Sequence, residues 1–366
     1  MTFRNAFQDV EEKHGGEFHE DSGWEWTERF ADTSAEEGYK ATREDVSVWN
    51  VSPLIKWKFV GPDAAKAVDR VGTNKAEDLK VGGVRYSLFL DEDGALVDEG
   101  TVYRVADDTF YYMINTDGAE MQAELEKRSA GLNVTISDSS KNMPNIAIQG
   151  PRALEVVSKL APGVDVASIK YFNFLTEPVE FAGAQVMLTR TGYSGEKGYE
   201  IFLMDPADAE KVYEAVLAEN VTKIGTDAVL MYRAESGLVI AGVDYASEQD
   251  PKTNPLDLNL EHAIKMDHDF VGKDKIADSY ANPKNRYVTL KLEGDEESGY
   301  GADVMKDGQK VGLAPSPAVS PKFGAITLAT VPTELATPGT ELEVEGRKAV
   351  VDVNPLYDTK KERPRS

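Results

Sequence analysis

The chain has 366 residues, 64 acidic and 40 basic, a formal net charge of −24, 41% hydrophobic content, no cysteine and four histidines. That balance can fill two or three packed domains, argues against a nucleic-acid phosphate surface, and excludes disulfides, thiolate metal sites and cysteine nucleophiles. The apolar runs fall far short of a membrane span and the first thirty residues are charged, so a cytoplasmic protein with no membrane partner and no metal is expected.

Residues 1–45 are polar, with an aromatic patch at Trp24 and Trp26 and a helix predicted from Ser34 through Asp45. They read as an N-terminal arm anchored to the body by its tryptophans. The alternating stretch Ile55-Lys56-Trp57-Lys58-Phe59-Val60 predicts a strand, and Gly61-Pro62 ends it before a helix running to Val71. The same order returns at Ile148-Gln149-Gly150-Pro151-Arg152-Ala153, followed by helix to Leu160. A repeated strand-Gly-Pro-helix unit predicts a duplicated α+β module.

Between the two copies, Arg85–Leu90 and Thr101–Val105 read as hairpin strands around Asp91-Glu92-Asp93-Gly94. The run Ala95–Gly100 places Asp98 beside Glu99. Neighbours on a strand face opposite ways, so only one of these carboxylates can enter a given cavity. Phe110–Asn115 predicts another strand, and Gly118–Ser129 an amphipathic helix.

Further on, Val186-Met187-Leu188 and Ile201-Phe202-Leu203 predict two strands around a glycine-rich connection. Glycines 192, 195 and 198 permit positive φ and the close approach of a planar ligand, while Tyr193 supplies a ring face and Glu200 a carboxylate. A pterin presents edges for both, although a plain hairpin is the commoner meaning of such glycines. The spacing fits neither a phosphate loop nor a dinucleotide fingerprint.

Helices are predicted from Pro206 to Glu219 and from Thr226 to about Leu238, the second carrying Arg233 and Glu235. Residues 276–286 are polar with proline and asparagine, a linker by composition. From Tyr287 onward, short strands broken by glycine and proline predict a small barrel-like domain. Trp49 and Trp57 are expected in the core, and His262 and His268 have no metal spacing.

Taken together, Gly61-Pro62-Asp63-Ala64, the run from Arg190 to Glu200, Asp269-Phe270-Val271-Gly272-Lys273 and the segment Asp352–Asp358 resemble the folate-binding family of the glycine-cleavage T-protein, the aminomethyltransferases. The resemblance implies an α+β clover-leaf in which two related α/β modules and a small C-terminal β-barrel surround a central tetrahydrofolate channel. Residues 1–54 would be the arm and part of the first module, 55–144 the second module, 145–280 the rest of the first with the folate motif, and 287–366 the barrel. Tyr193 and Glu200 match the family's pterin contacts. Arg233 matches an arginine near the folate, whose fork suits a carboxylate, and Tyr86 and Asn115 match further channel positions.

The chain departs from the family at the reactive centre. Where T-proteins carry two aspartates, it reads Asp98-Glu99-Gly100, so the carboxylate expected beside folate N5 is Glu99; Asp98 ranks second. Asn50-Val51-Ser52-Pro53-Leu54 likewise replaces the familiar Asp-Val-Ser-His-Met. Lys170–Phe174 and Met266–Phe270 look more like the folate-dependent O-demethylases of methoxylated aromatic acids. These features imply methyl transfer from a small O-, N- or S-methylated donor to tetrahydrofolate. The alternatives are aminomethyl transfer from a lipoyl carrier protein and a folate-binding regulator without catalysis.

Overall fold

A computed structural model of the protein describes residues 2–115, 118–246 and 252–366. Three units make up the α+β architecture expected. The first is a six-stranded sheet, ordered Val179–Phe181, Ala184–Thr189, Gly198–Leu203, Asn145–Gln149, Ser47–Asn50 and Thr222–Lys223. The second is an antiparallel five-stranded sheet, ordered Val84–Leu90, Leu96–Ala106, Thr109–Ile114, Ile55–Val60 and Thr135–Asp138. Six strands between Asn285 and Asp352 close the third into a barrel.

The repeated unit has a physical cause. Strand Ile55–Val60 runs through Gly61-Pro62 into helix Ala64–Val71, and strand Asn145–Gln149 runs through Gly150-Pro151 into helix Ala153–Leu160. Gly61 and Gly150 have φ of +147° and +131°, and a Cβ on either would lie 2.4 Å from the Asn133 carbonyl or 2.5 Å from the Asp45 carbonyl. Only glycine lets the chain pass those backbones, so both copies keep it.

Each sheet packs one face on its own helices. Ile55, Trp57, Phe59 and Val102 join Val68, Val71 and Leu125 in one core, and Ile146, Ile148, Ile201 and Leu203 join Val156, Val157 and Val212 in another. The opposite faces meet at a seam that includes Val84, Tyr103, Met113, Phe174, Met187 and Phe202. Residues 170–174 stitch the seam: Val84 N–H donates to the Phe172 carbonyl (2.9 Å), Phe172 N–H donates to the Arg190 carbonyl (3.0 Å), and Phe174 bridges Thr189. Phe172 takes φ of 57°, a left-handed conformation rare for a bulky residue, so that it can serve both sheets.

Helix Ala35–Glu44 forms where expected, closed by a capping box between Ser34 and Glu37. The arm folds into a hairpin, Gly16–Asp21 with Trp24–Phe30. Trp24 and Trp57 are buried in the core of the five-stranded sheet, whereas Trp49 is buried in a cluster that also holds Trp26, Tyr39 and Tyr232.

Two expectations are corrected. Residues 276–286 are no simple linker, because helix Lys273–Ala281 occupies most of them. The side chain of Ile276 is buried there, which composition alone could not show. The second predicted helix stops at Glu235 rather than near Leu238, since Gly237 turns left-handed (φ +62°) where a Cβ would collide with Asn354. Among the described residues no helix is long and apolar enough to cross a membrane.

Candidate active site

Strand alternation decides what the five-stranded sheet offers to the seam. Val102 packs toward the helices, so Glu99, Thr101 and Tyr103 share the opposite, central face. The pairings Tyr86 with Thr101, Thr101 with Met113 and Met113 with Lys56 lay a row across that face. From the other sheet, Glu200 on strand Gly198–Leu203 comes in from across the seam.

Glu99 is half-buried: protein encloses it, yet solvent still touches it, as in a channel wall. Burial pushes its carboxyl up to about 8, repulsion from Asp98 adds to this, and hydrogen bonding from Tyr86 and Asn115 pulls the other way. Near neutral pH this carboxyl keeps its proton. The Tyr86 hydroxyl is pushed well up as well, first by burial and then by Glu99, and its ring stacks on His262 with centroids 5.7 Å apart.

Asp98 lies on the other face and is fully buried. It accepts from the Asn115 amide nitrogen at 2.9 Å, from the Asn115 backbone N–H at 3.2 Å and from the Glu99 N–H at 2.7 Å. Asp98 thus fastens the start of one strand to the end of its neighbour. It positions Glu99 and Asn115 and does not itself face the channel.

At the other wall Glu200 is buried, with its Oε2 accepting from the hydroxyls of Thr191 and, at 3.4 Å, Tyr103. Burial raises the Glu200 carboxyl, and Thr191, Lys56 and Tyr103 oppose that rise. Tyr193 is half-buried, packs against the cluster that holds Trp49 and Tyr232, and donates its hydroxyl to the Val239 carbonyl at 2.5 Å. The glycines play another part than the one expected. Only Gly195 of the three has a positive φ (+75°), and a Cβ on Gly192 or Gly198 would strike the Gln149 side chain at 2.1 or 2.2 Å. What approaches Gly192 and Gly198 closely is the Gln149 amide, held by Ser194 Oγ and the Thr191 carbonyl.

Arg233 is buried; the protein engages both its Nη groups, while its Nε has no hydrogen-bond partner among the described residues. Its Nη1 donates to Asp244 at 2.8 Å and to the Leu238 carbonyl at 3.0 Å, and its Nη2 donates to Ser316 of the barrel at 2.8 Å. Tyr287 and Ser316 complete the shell of Asp244. The carboxylate this fork grips is therefore the protein's own, and the pair ties helix Thr226–Glu235 to the barrel.

Several residues here were not singled out from the sequence. Tyr245 is buried, its hydroxyl has no hydrogen-bond partner among the described residues, and it acts electrostatically with Glu99, Asp98, Tyr86 and Tyr193. No local pattern marks it, because it follows a turn. Tyr103 and Thr101 could have been found by continuing the alternation from Glu99. Lys56 was legible only as the polar side of a strand. Beyond the glycine loop, a cavity of about 70 Å³ lies between Tyr171, Gly192, Glu196, Leu238 and Tyr357.

Residues 7–268 match the GCVT N-terminal domain model, and residues 285–358 match the glycine cleavage T-protein C-terminal barrel domain. An aminomethyltransferase of Listeria welshimeri is 34% identical over 94% of this chain and 95% of its own length. A probable aminomethyltransferase of Natronomonas pharaonis is 33% identical over 94% and 96%. The crystal structure of glycine cleavage system aminomethyltransferase T from Bartonella henselae superposes with a TM-score of 0.88 at 25% identity, covering 98% of this chain and 99% of that one.

Proposed function

Because the chain belongs to the glycine-cleavage T-protein family, we propose that it transfers a one-carbon unit to N5 of tetrahydrofolate, and that the unit is a methyl group from a small O-, N- or S-methylated donor such as a methoxylated aromatic acid. The described residues fit the folate. Glu200 keeps Oε1 without a hydrogen bond among them, suiting the amino and N–H donors of a pterin edge, and the half-buried Tyr193 offers a ring face. The Tyr245 hydroxyl, without a hydrogen-bond partner among the described residues, is a buried polar group that a ligand could satisfy. Bound tetrahydrofolate supplies the nucleophilic N5.

The observation that carries the methyl reading is the set of tyrosine hydroxyls around Glu99, with the Asp98 carboxylate behind it. The Glu99 carboxyl, pushed up to about 8, stands with Tyr86 and Tyr245, whose hydroxyls are pushed well up by burial. Such a cluster can give a proton to a leaving atom that departs as an anion, with Glu99 as general acid. Asn115 and Asp98 hold Glu99 in place, and Arg233 acts through the barrel contact rather than on a ligand.

Aminomethyl transfer is the second reading, and the names of the relatives, 31–34% identical over more than nine-tenths of the chain, favour it directly. A carboxylic residue at position 99 is compatible with it. A net charge of −24 opposes docking of an acidic lipoyl carrier across most of the surface. One experiment separates these readings. The protein is incubated with tetrahydrofolate and, in turn, methoxybenzoates, dimethylglycine, methylated sulfonium compounds and an aminomethylated lipoyl carrier, and the one-carbon folate formed is identified. Methyl product from a small donor supports the first reading. Methylene product made only with the carrier overturns it in favour of the second, and tight folate binding without any product leaves a regulator.

A further inference from the structure

Trp49 carries a polar atom that its surroundings leave unused. The residue is only 8% exposed, and its indole N–H is buried without a hydrogen-bond partner among the described residues. A buried indole N–H usually finds a partner, and leaving such a donor unmade costs about 1–3 kcal/mol. The neighbouring Trp26 ring does not supply one. Its centroid is 5.9 Å away and its plane is tilted by 32°, nearer parallel than perpendicular. An N–H lies in the plane of its own ring, so it meets a ring so inclined at a shallow angle and not through the π face.

Strand register sets this donor in one row with Glu200. Glu200 pairs with Ala147 on the next strand, and Ala147 pairs with Trp49 on the strand beyond. Val48, Ile146, Ile148 and Ile201, the alternate residues of these three strands, pack on the helices, so Trp49, Ala147 and Glu200 share the opposite face. Adjacent strands lie about 4.8 Å apart, which puts the backbones of Trp49 and Glu200 about 10 Å apart. Between them stands only the methyl group of Ala147. Tyr193 and Leu54, both half-buried, pack against the same cluster as Trp49. An acceptor, Glu200 Oε1, and an unused donor, the Trp49 N–H, thus flank one small residue on one face.

The edge of a reduced pterin carries the amino group, the ring N–H and the 4-oxo oxygen in that order: two donors, then an acceptor. A carboxylate can take the donors but has nothing to give the oxygen. The Tyr193 hydroxyl already donates to the Val239 carbonyl. Building on the reading that Glu200 holds the pterin edge, we propose that Trp49 is a further binding and specificity residue for tetrahydrofolate, its indole N–H donating to the 4-oxo oxygen next along that edge. Glu200 and Trp49 then select 4-oxo pterins over 4-amino analogues. The amino group of such an analogue turns a donor toward the indole donor and leaves both unsatisfied.

The test is calorimetric titration of the full chain, under anaerobic conditions, with tetrahydrofolate and with its 4-amino analogue. Wild type, Trp49→Phe and Glu200→Gln are compared, and thermal melting of each variant controls for folding. Trp49→Phe keeps an aromatic ring and removes the N–H. It should weaken tetrahydrofolate about fivefold, the worth of one neutral hydrogen bond, and leave the affinity for the 4-amino analogue unchanged. No weakening, or weakening that is not selective for tetrahydrofolate, overturns the role of Trp49 while Glu200→Gln still binds poorly. If Glu200→Gln binds tetrahydrofolate as tightly as wild type, the pterin reading itself falls and the proposal falls with it. Should Trp49→Phe not fold, or the analogue bind too weakly to titrate, the indole N–H proton resonances of wild type decide. Saturating tetrahydrofolate should move one of them downfield, and no such movement overturns the assignment.

Discussion

Glu99 and Glu200 are the same residue type on the walls of one seam, both raised by burial, and the two sheets surround them with different partners. Glu99 sits among tyrosine hydroxyls with Asp98 behind it, so burial and like charge push its carboxyl the same way, up to about 8. Glu200 sits against Thr191, Tyr103 and a cation, all of which resist the upward pull of burial. The first environment favours a proton for delivery; the second also raises its carboxyl by burial, but its hydroxyl donors and cation oppose that rise. Environment rather than residue type assigns acid and acceptor, the pattern expected where one fold must run both at the same pH.

The contrast breaks most directly at Glu99. Glu99→Gln should lower kcat by about 10²–10⁴-fold, the usual worth of a general acid, and leave tetrahydrofolate affinity intact. Steady-state kinetics with the donor found by the panel, beside a binding titration, would reveal full activity and so remove the acid role. Arg233→Ala should cost about 3–5 kcal/mol in urea unfolding, because Asp244 would keep a buried charge without its partner. Unchanged stability with lost folate binding would instead place Arg233 among the ligand contacts.

At Glu200 the expected loss is in binding. Glu200→Gln should raise the tetrahydrofolate Kd by about tenfold or more, as an acceptor for charged-type hydrogen bonds is lost, with kcat at saturation changed less. The pH profile of kcat should separate the two walls further. Since the Glu99 pKa is raised, its proton is present below about pH 8 and lost above it, so kcat should fall about tenfold for each unit of pH beyond that point. Activity that rises through pH 8 would make Glu99 a base. The smallest effect belongs to Tyr193→Phe, which removes the bond to the Val239 carbonyl and keeps the ring; about 1 kcal/mol of stability should be lost on thermal unfolding, with binding little altered.

Much of the fold was legible because its signals are local. The Gly-Pro turns after the two sheet strands, the capping box at Ser34 and the alternation in Ile55–Val60 each constrain a few adjacent residues. The site was legible only in part. Glu99, Tyr193 and Glu200 stand out by type and place, but the meaning of glycines 192 and 198 depends on Gln149, which belongs to a strand some forty residues earlier. Arg233 reads in sequence as a free fork, and its engagement with Asp244 and Ser316 requires the barrel to be docked.

The sequence by itself determined that the chain folds into an α+β body and a barrel, that no cysteine chemistry is available, and which family its motifs resemble. Each of those rests on composition or on neighbours along the chain. Only the tertiary structure decided that Lys56 is buried rather than solvated, that Asp98 turns away from the seam, and that Glu99 and Glu200 are enclosed among different partners. Desolvation and charge pairing depend on what the second sheet places over a side chain, and periodicity along one strand is silent about what lies above it.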